Sequence, residues 1–263
     1  PCSALIHAAT MVAAGVYLSL RVFPLLEVGG LLPMAAWIGG ITAFGAATIA
    51  LIQTDLKAVL AYSTISQLGY MVLGVGVGAY NPAFMHLITH AVFKACLFLS
   101  AGSVIHTLHV KEMPQMGGLR KKMPFTFIAM LLCTFAIAGV PLFSGFVSKD
   151  RILGDALLAA LDNPVYAVPA FLGFAGAFLT AFYMFRMMFL TFWGEPRDKH
   201  IYDHAHQEKF SLNQNLPLLI LALFTLGIWF SGSLTGQGFV KVTSLEKKDW
   251  FKTLIVKPVP EKF

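Results

Sequence analysis

Three titratable side chains fall at four-residue intervals within one apolar stretch: His86, His90 and Lys94. On an α-helix that spacing puts them on a single stripe, over roughly 12 Å of the axis. Histidine exchanges a proton near neutrality, and a lysine withdrawn from water can have its pKa lowered by units. A row of such groups, linked by water, makes a path for protons. Two other readings fit the same spacing. Histidines at i and i+4 can ligate a metal, but no HExxH glutamate accompanies them, and Lys94 one turn on would repel a divalent cation. A polar seam that only holds helices together is the third reading.

Five further groups carry possible chemistry. His7 sits in Ser3-Ala4-Leu5-Ile6-His7-Ala8-Ala9-Thr10, a small-residue surface suited to close helix approach, and reads equally as a packing residue or a proton shuttle. Lys149-Asp150 lies just past the string Gly139-Val140-Pro141-Leu142-Phe143-Ser144-Gly145. Helix ends exposed at such a string carry backbone dipoles that bias a nearby cation. Adjacent residues point apart on a helix, so Lys149 can face a channel while Asp150 faces elsewhere; both are plain boundary charges if the string lies near the membrane surface. Lys57 follows Asp55 and is either an edge charge beside a helix N-cap or part of a transport path. Ser63, Thr64, Ser66 and Gln67 would hydrate a path or hydrogen-bond between helices. His204 and His206, with Asp203 and Glu208, belong to a polar stretch and read as a solvated loop, or as a weak metal site. No metal site, resident cofactor or catalytic centre is expected.

The elements that must position these groups follow from composition. Hydrophobic residues make up 57% of the 263 residues and charged residues 12%, against about 25% charged in soluble domains; mean hydropathy is +0.72. The apolar residues run in stretches of about 20, the length that spans the hydrocarbon as a helix. The fold class is therefore all-α, a polytopic transmembrane bundle. Seven spans are predicted, at residues 2–23, 31–52, 55–78, 82–108, 124–161, 164–193 and 216–234. The fifth is too long for one straight crossing and is read as a single span interrupted at 139–145, since backbone groups freed there are tolerated only against protein or a wet cavity. Residues 1–235 form the bundle and 236–263 a basic extramembrane tail.

The net charge of +6 does not imply nucleic acid. The basic residues lie in short connectors and the tail, with no interleaved aromatic platform. Connectors two-to-three, four-to-five and six-to-seven carry Lys57, Lys111, Arg120, Lys121, Lys122, Arg197, Lys199 and Lys209, which marks their side as cytoplasmic; the lysines of the tail run against this rule. Cys2, Cys96 and Cys133 are widely spaced in apolar segments and read as buried structural thiols. The chain opens at Pro1, straight into an apolar segment and without a visible signal peptide, so it reads as a piece of something longer.

Several strings taken together resemble a known family. They are Ser3 to Val12, Thr54-Asp55-Leu56-Lys57 with Leu60-Ala61-Tyr62-Ser63-Thr64, Gln67-Leu68-Gly69-Tyr70-Met71, His86 to Lys94, Gly117-Gly118-Leu119-Arg120 and Phe146-Val147-Ser148-Lys149-Asp150. They are similar to the antiporter-like L subunit of NADH:quinone oxidoreductase, respiratory complex I, whose mitochondrial counterpart is subunit 5. The resemblance extends to about Trp193. It implies a bundle with broken helices that translocates protons, coupled to quinone reduction elsewhere in the complex. It matches His7 to a position where sibling subunits carry a central lysine. His86, His90 and Lys94 match the connecting polar axis, and Lys149 the lysine of the second broken helix at the exit. Lys57 matches a lysine of the same family run and, with Asp150, is a supporting group. FMN and iron–sulfur centres belong to other subunits, so this chain is expected to hold no cofactor. The implied partners are adjacent antiporter-like membrane subunits and the lipid bilayer, in a bacterial cytoplasmic membrane.

The chain departs from that family in lacking the first half, with its broken helix and lysine, and the long lateral helix after Phe263; alone it is not expected to pump. Other readings stay open. Large subunits of Mrp-type sodium/proton antiporters share these motifs but tend to place a lysine after Thr-Met-Val, where this chain has Ala13-Ala14-Gly15. Membrane-bound hydrogenase modules use similar subunits. A structural membrane subunit without transport activity is the reading from a different class.

Overall fold

The computed structural model describes Ile6, residues 10–208 and residues 215–227. His7, Cys2 and the tail at 236–263 lie outside the described residues. Among the described residues the secondary structure is α-helical, with two short 3-10 turns and two isolated antiparallel bridges. The helices are α1 (Met11–Arg21), α2 (Phe23–Val28), α3 (Leu32–Ile52), α4 (Leu56–Gly76), α5 (Tyr80–Leu108), α6 (Pro124–Ala138), α7 (Ser144–Asp162), α8 (Ala167–Phe192), α9 (Lys199–His204) and α10 (Asn215–Phe224).

Helices α3, α4, α5 and α8 (the last with the turn at Pro164–Tyr166) are each long and apolar enough to cross a membrane. α1, α6 and α10 are apolar but shorter, so the described residues hold fewer full-length crossings than the seven predicted. The first predicted span, at 2–23, gives way to a new short helix, α2, at Phe23. Pro24 sits in the first turn of α2, where its missing N–H would have had no intrahelical partner. The polar stretch after Trp193 contains α9, capped by the Asp198 carboxylate, which accepts from the Ile201 amide at 3.2 Å.

Residues 124–161 form two helices, α6 and α7, separated by the break at 139–143. Gly139 ends α6 in the left-handed conformation, φ 80°, which a residue without Cβ adopts freely. Gly145 sits so close to the Ala136 carbonyl that a Cβ there would overlap it. Only 216–227 of the seventh predicted span, 216–234, lie among the described residues. Its helix ends at Phe224, and Leu226 bridges to Phe143. The Ser144 amide donates to the Thr225 carbonyl at 2.8 Å and the Gly227 amide to the Leu142 carbonyl at 2.7 Å. Backbone groups freed by one interruption are thus satisfied by a second, as an apolar interior requires.

Small residues set the helix spacing. The buried face of α3 is Ala36, Gly39, Gly40, Ala43, Ala46, Ala47 and Ala50, and a Cβ at Gly39 would meet the Leu73 backbone of α4. Such surfaces let helices approach closely in lipid, where hydrophobic contrast contributes little. The larger core lies between α4, α5, α6, α8 and α10, around Phe93, Leu97, Met130, Met184 and Met187. Cys96 and Cys133 are buried there as free thiols. At the end bearing the basic connectors, Glu208 accepts from the Phe125 and Thr126 amides at 3.0 and 3.2 Å, and so caps α6. Its other oxygen accepts from Thr126 Oγ1 at 2.6 Å and Asn215 Nδ2 at 2.8 Å.

Candidate functional site

The polar stripe of α5 faces α4 and the first turns of α7. His86, His90 and Lys94 are all buried, at 1%, 1% and 0% exposure. An ionisable group at this depth is costly and is found facing a bundle interior or water. The arrangement that accommodates each one differs.

His86 is held at both ring nitrogens. Its Nδ1 lies 2.8 Å from Ser148 Oγ on α7, and its Nε2 lies 3.1 Å from Gln67 Oε1 on α4. Ser148 Oγ is also 3.2 Å from Thr89 Oγ1 and 3.2 Å from the Ser144 carbonyl. A hydroxyl can donate or accept, and an amide can present either its oxygen or its nitrogen by rotating. Both neighbours of His86 can therefore reverse roles, and the ring can carry its proton on either nitrogen without losing a partner. The His90 ring follows, 6.3 Å from His86 and edge-on to Phe93 at 5.4 Å.

Lys94 Nζ donates to the Leu60 carbonyl at 3.0 Å and to Ser63 Oγ. Leu60 also accepts from the Ser63 and Thr64 hydroxyls, each at 2.9 Å, so α4 offers Lys94 a cluster of dipoles. Lys149, 3% exposed, donates to the Ile137 carbonyl at 3.3 Å and lies 4.5 Å from the centre of the Tyr70 ring. That carbonyl is one of those left open at the end of α6, where a helix dipole favours a cation. Among the described residues no carboxylate forms an ion pair with Lys94 or Lys149. Only neutral groups hold the two amines, so either can lose its proton without stranding an anion.

The structure thus brings His86, His90, Lys94 and Lys149 into one buried region where α4, α5 and α7 meet. Asp150 is exposed on the other face of α7, as the alternation of neighbouring positions requires. Lys57 is half-buried on the first turn of α4, beside the Asp55 cap, whose carboxylate accepts from the Lys57 and Ala58 amides at 2.7 and 3.1 Å. Ser66 donates to the Ala43 carbonyl at 2.7 Å and so ties α4 to α3. His204 and His206 are exposed, and among the described residues no three His, Cys, Asp or Glu side chains form a metal-binding group. Sequence reasoning missed Ser148 and Tyr70 as members of the site. Tyr70 extends the Ser63–Ser66–Gln67 face of α4 by one turn, and its hydroxyl donates to the Gly173 carbonyl of α8 at 2.8 Å.

Comparison with known proteins follows the same lines. The family described as "NADH:quinone oxidoreductase/Mrp antiporter, TM" matches residues 1–175. NADH-quinone oxidoreductase subunit L of Rhodobacter capsulatus is 46% identical over 245 residues, which is 88% of this chain and 34% of that protein. NAD(P)H-quinone oxidoreductase chain 5 of a Picosynechococcus species is 53% identical over 219 residues, 80% of this chain and 32% of that one. A chain in the structure of the Mrp complex from Dietzia sp. superposes with a TM-score of 0.75 at 33% identity, covering 88% of this chain and 25% of that one. The chain spans about a third of the length of the curated relatives it matches. On motif, buried site and fold together, the chain belongs to the NADH:quinone oxidoreductase/Mrp antiporter transmembrane family.

Proposed function

We propose that this chain is part of an L-type antiporter-like subunit of respiratory complex I, in a bacterial cytoplasmic membrane, and that it conducts protons along Lys94, His90, His86 and Lys149. The observation that carries the reading is the 2.8 Å contact between His86 and Ser148, which joins the stripe of α5 to the broken element that bears Lys149. Water bridges the longer gaps. A proton reaching one nitrogen of His86 releases another from the opposite nitrogen, and Ser148 and Gln67 exchange donor and acceptor roles as it does so. Lys149 takes the proton at the end of α6 and passes it toward the end of the bundle opposite the basic connectors. His7 is a further relay group in this reading, with Lys57 and Asp150 as supporting charges at the path's margins. Quinone reduction elsewhere in the complex drives the cycle, and adjacent antiporter-like subunits are the partners; this chain supplies no redox centre.

The test is proton pumping per quinone reduced, in vesicles carrying the assembled complex with Lys94→Ala and Lys149→Ala combined. Pumping should be lost while the complex still assembles; wild-type pumping in the double variant rejects the relay and favours a structural subunit. The likeness to the Mrp chain supports a second reading, the large subunit of a sodium/proton antiporter. Sodium-dependent proton flux from a complex without quinone reductase activity would select it.

A further inference from the structure

The outer face of α8 carries an aromatic row that the proton path does not use. Phe171, Phe174, Phe178, Phe182, Phe185, Phe189 and Trp193 recur at intervals of three and four, which is one helix stripe. Phe178, Phe182 and Phe189 are exposed, at 73%, 56% and 55%. From Phe182 to Trp193 the stripe runs roughly 16 Å, about one leaflet of hydrocarbon. Phe189 packs against Trp193 with ring centroids 5.3 Å apart, so the row continues to the end of the helix.

There it meets a cavity of about 220 Å³ lined by Gly118, Arg120, Lys121, Trp193, Glu195 and Tyr202, among others. The neighbouring cations are already occupied. Lys122 donates to the Tyr202 and Ala205 carbonyls, and Arg197 to those of Met116 and Leu190. Arg120 and Lys121 are exposed, and among the described residues neither has an ion-pair partner. The Arg120 guanidinium lies 5.8 Å from the Trp193 ring centre, a position that holds it at the cavity. Arg120 and Lys121 against Glu195 leave the lining with one net positive charge, the complement of a phosphodiester.

We propose that the cavity and the stripe form a site for one anionic phospholipid. Its phosphate sits between Arg120 and Lys121, its headgroup hydroxyls donate toward Glu195, and one acyl chain lies along Phe182, Phe185 and Phe189. Trp193 stands at the level of the ester groups, where indole rings favour a half-wet setting. The site depends on the chain lying in a membrane and not on the proton path.

The test uses the assembled membrane complex, stripped of lipid in detergent. It is titrated separately with phosphatidylglycerol, phosphatidylcholine and inorganic phosphate, and bound lipid is counted by native mass spectrometry. Phosphatidylglycerol should bind about 30-fold more weakly to an Arg120→Gln/Lys121→Gln variant, the loss expected for two basic groups at an anionic surface. A Lys111→Gln variant, altered on the same side of the bundle, should bind as the wild type does. Unchanged binding in the double variant overturns the proposal. Equal retention of phosphatidylcholine also overturns it, since the apolar stripe alone would then account for binding. Displacement of the lipid by inorganic phosphate would make this a free-anion site. A photo-crosslinker at position 121 that captures a neighbouring subunit in place of lipid would likewise exclude it.

Discussion

Ser148 joins two elements of the site. Its hydroxyl is the contact between the α5 stripe and α7, and it faces the His86 ring, Thr89 and the Ser144 carbonyl at once. In Ser148→Ala, Nδ1 of His86 loses its α7 partner while the packing changes by one oxygen. Pumping should fall several-fold at unchanged assembly, and Ser148→Thr, which keeps the hydroxyl, should recover most of it. The proton-to-quinone ratio in vesicles measures both. The titratable residues were legible from sequence because a histidine or lysine in an apolar helix is conspicuous and four-residue spacing fixes a common face. Ser148 was not, because a serine in a helix is ordinary and the partner that gives this one its role lies 62 residues away.

At the scale of elements, the interruption between α6 and α7 depends on close approach as well as on chain direction. Gly145→Ala would drive a methyl group into the Ala136 carbonyl. A destabilisation of about 1–3 kcal/mol is expected for such overpacking. Gly154 lies two and a half turns further along the same helix, with nothing within 4 Å of an added Cβ. Gly154→Ala should therefore raise stability by roughly 0.5–1 kcal/mol. Thermal inactivation of the purified complex should move in opposite directions for the two variants. The interruption was readable from Gly139, Pro141 and Gly145, residues with known backbone habits. The end of α10 at Phe224 was not. Thr225 and Gly227 are weak signals inside an apolar run, and the pairing of Leu226 with Phe143, far away in sequence, is not visible in the string.

Across the whole molecule, one carboxylate ties the segment after α9 to the start of α6 and to α10. Glu208→Ala would leave the Phe125 and Thr126 amides without their cap, a loss of about 1 kcal/mol. Hydrogen exchange at those two amides should quicken about fivefold, with little change at the α3–α4 seam. The extent of this clasp was hidden in the sequence, where residues 194–215 show only as a polar stretch. The bundle class, by contrast, followed directly from the scarcity of charge. The pairing of residues 142–144 with 225–227 has another consequence. It is made entirely by main-chain atoms, so the half-buried Leu226 side chain can vary without disturbing it, whereas Leu142 holds a left-handed φ of 78° and Thr225 is fully buried. Chain length and amide protons cannot vary in the same way. One residue inserted between Phe224 and Gly227, or a proline in place of Ser144 or Gly227, would uncouple two distant stretches of chain while every residue of the proton path stayed as it was.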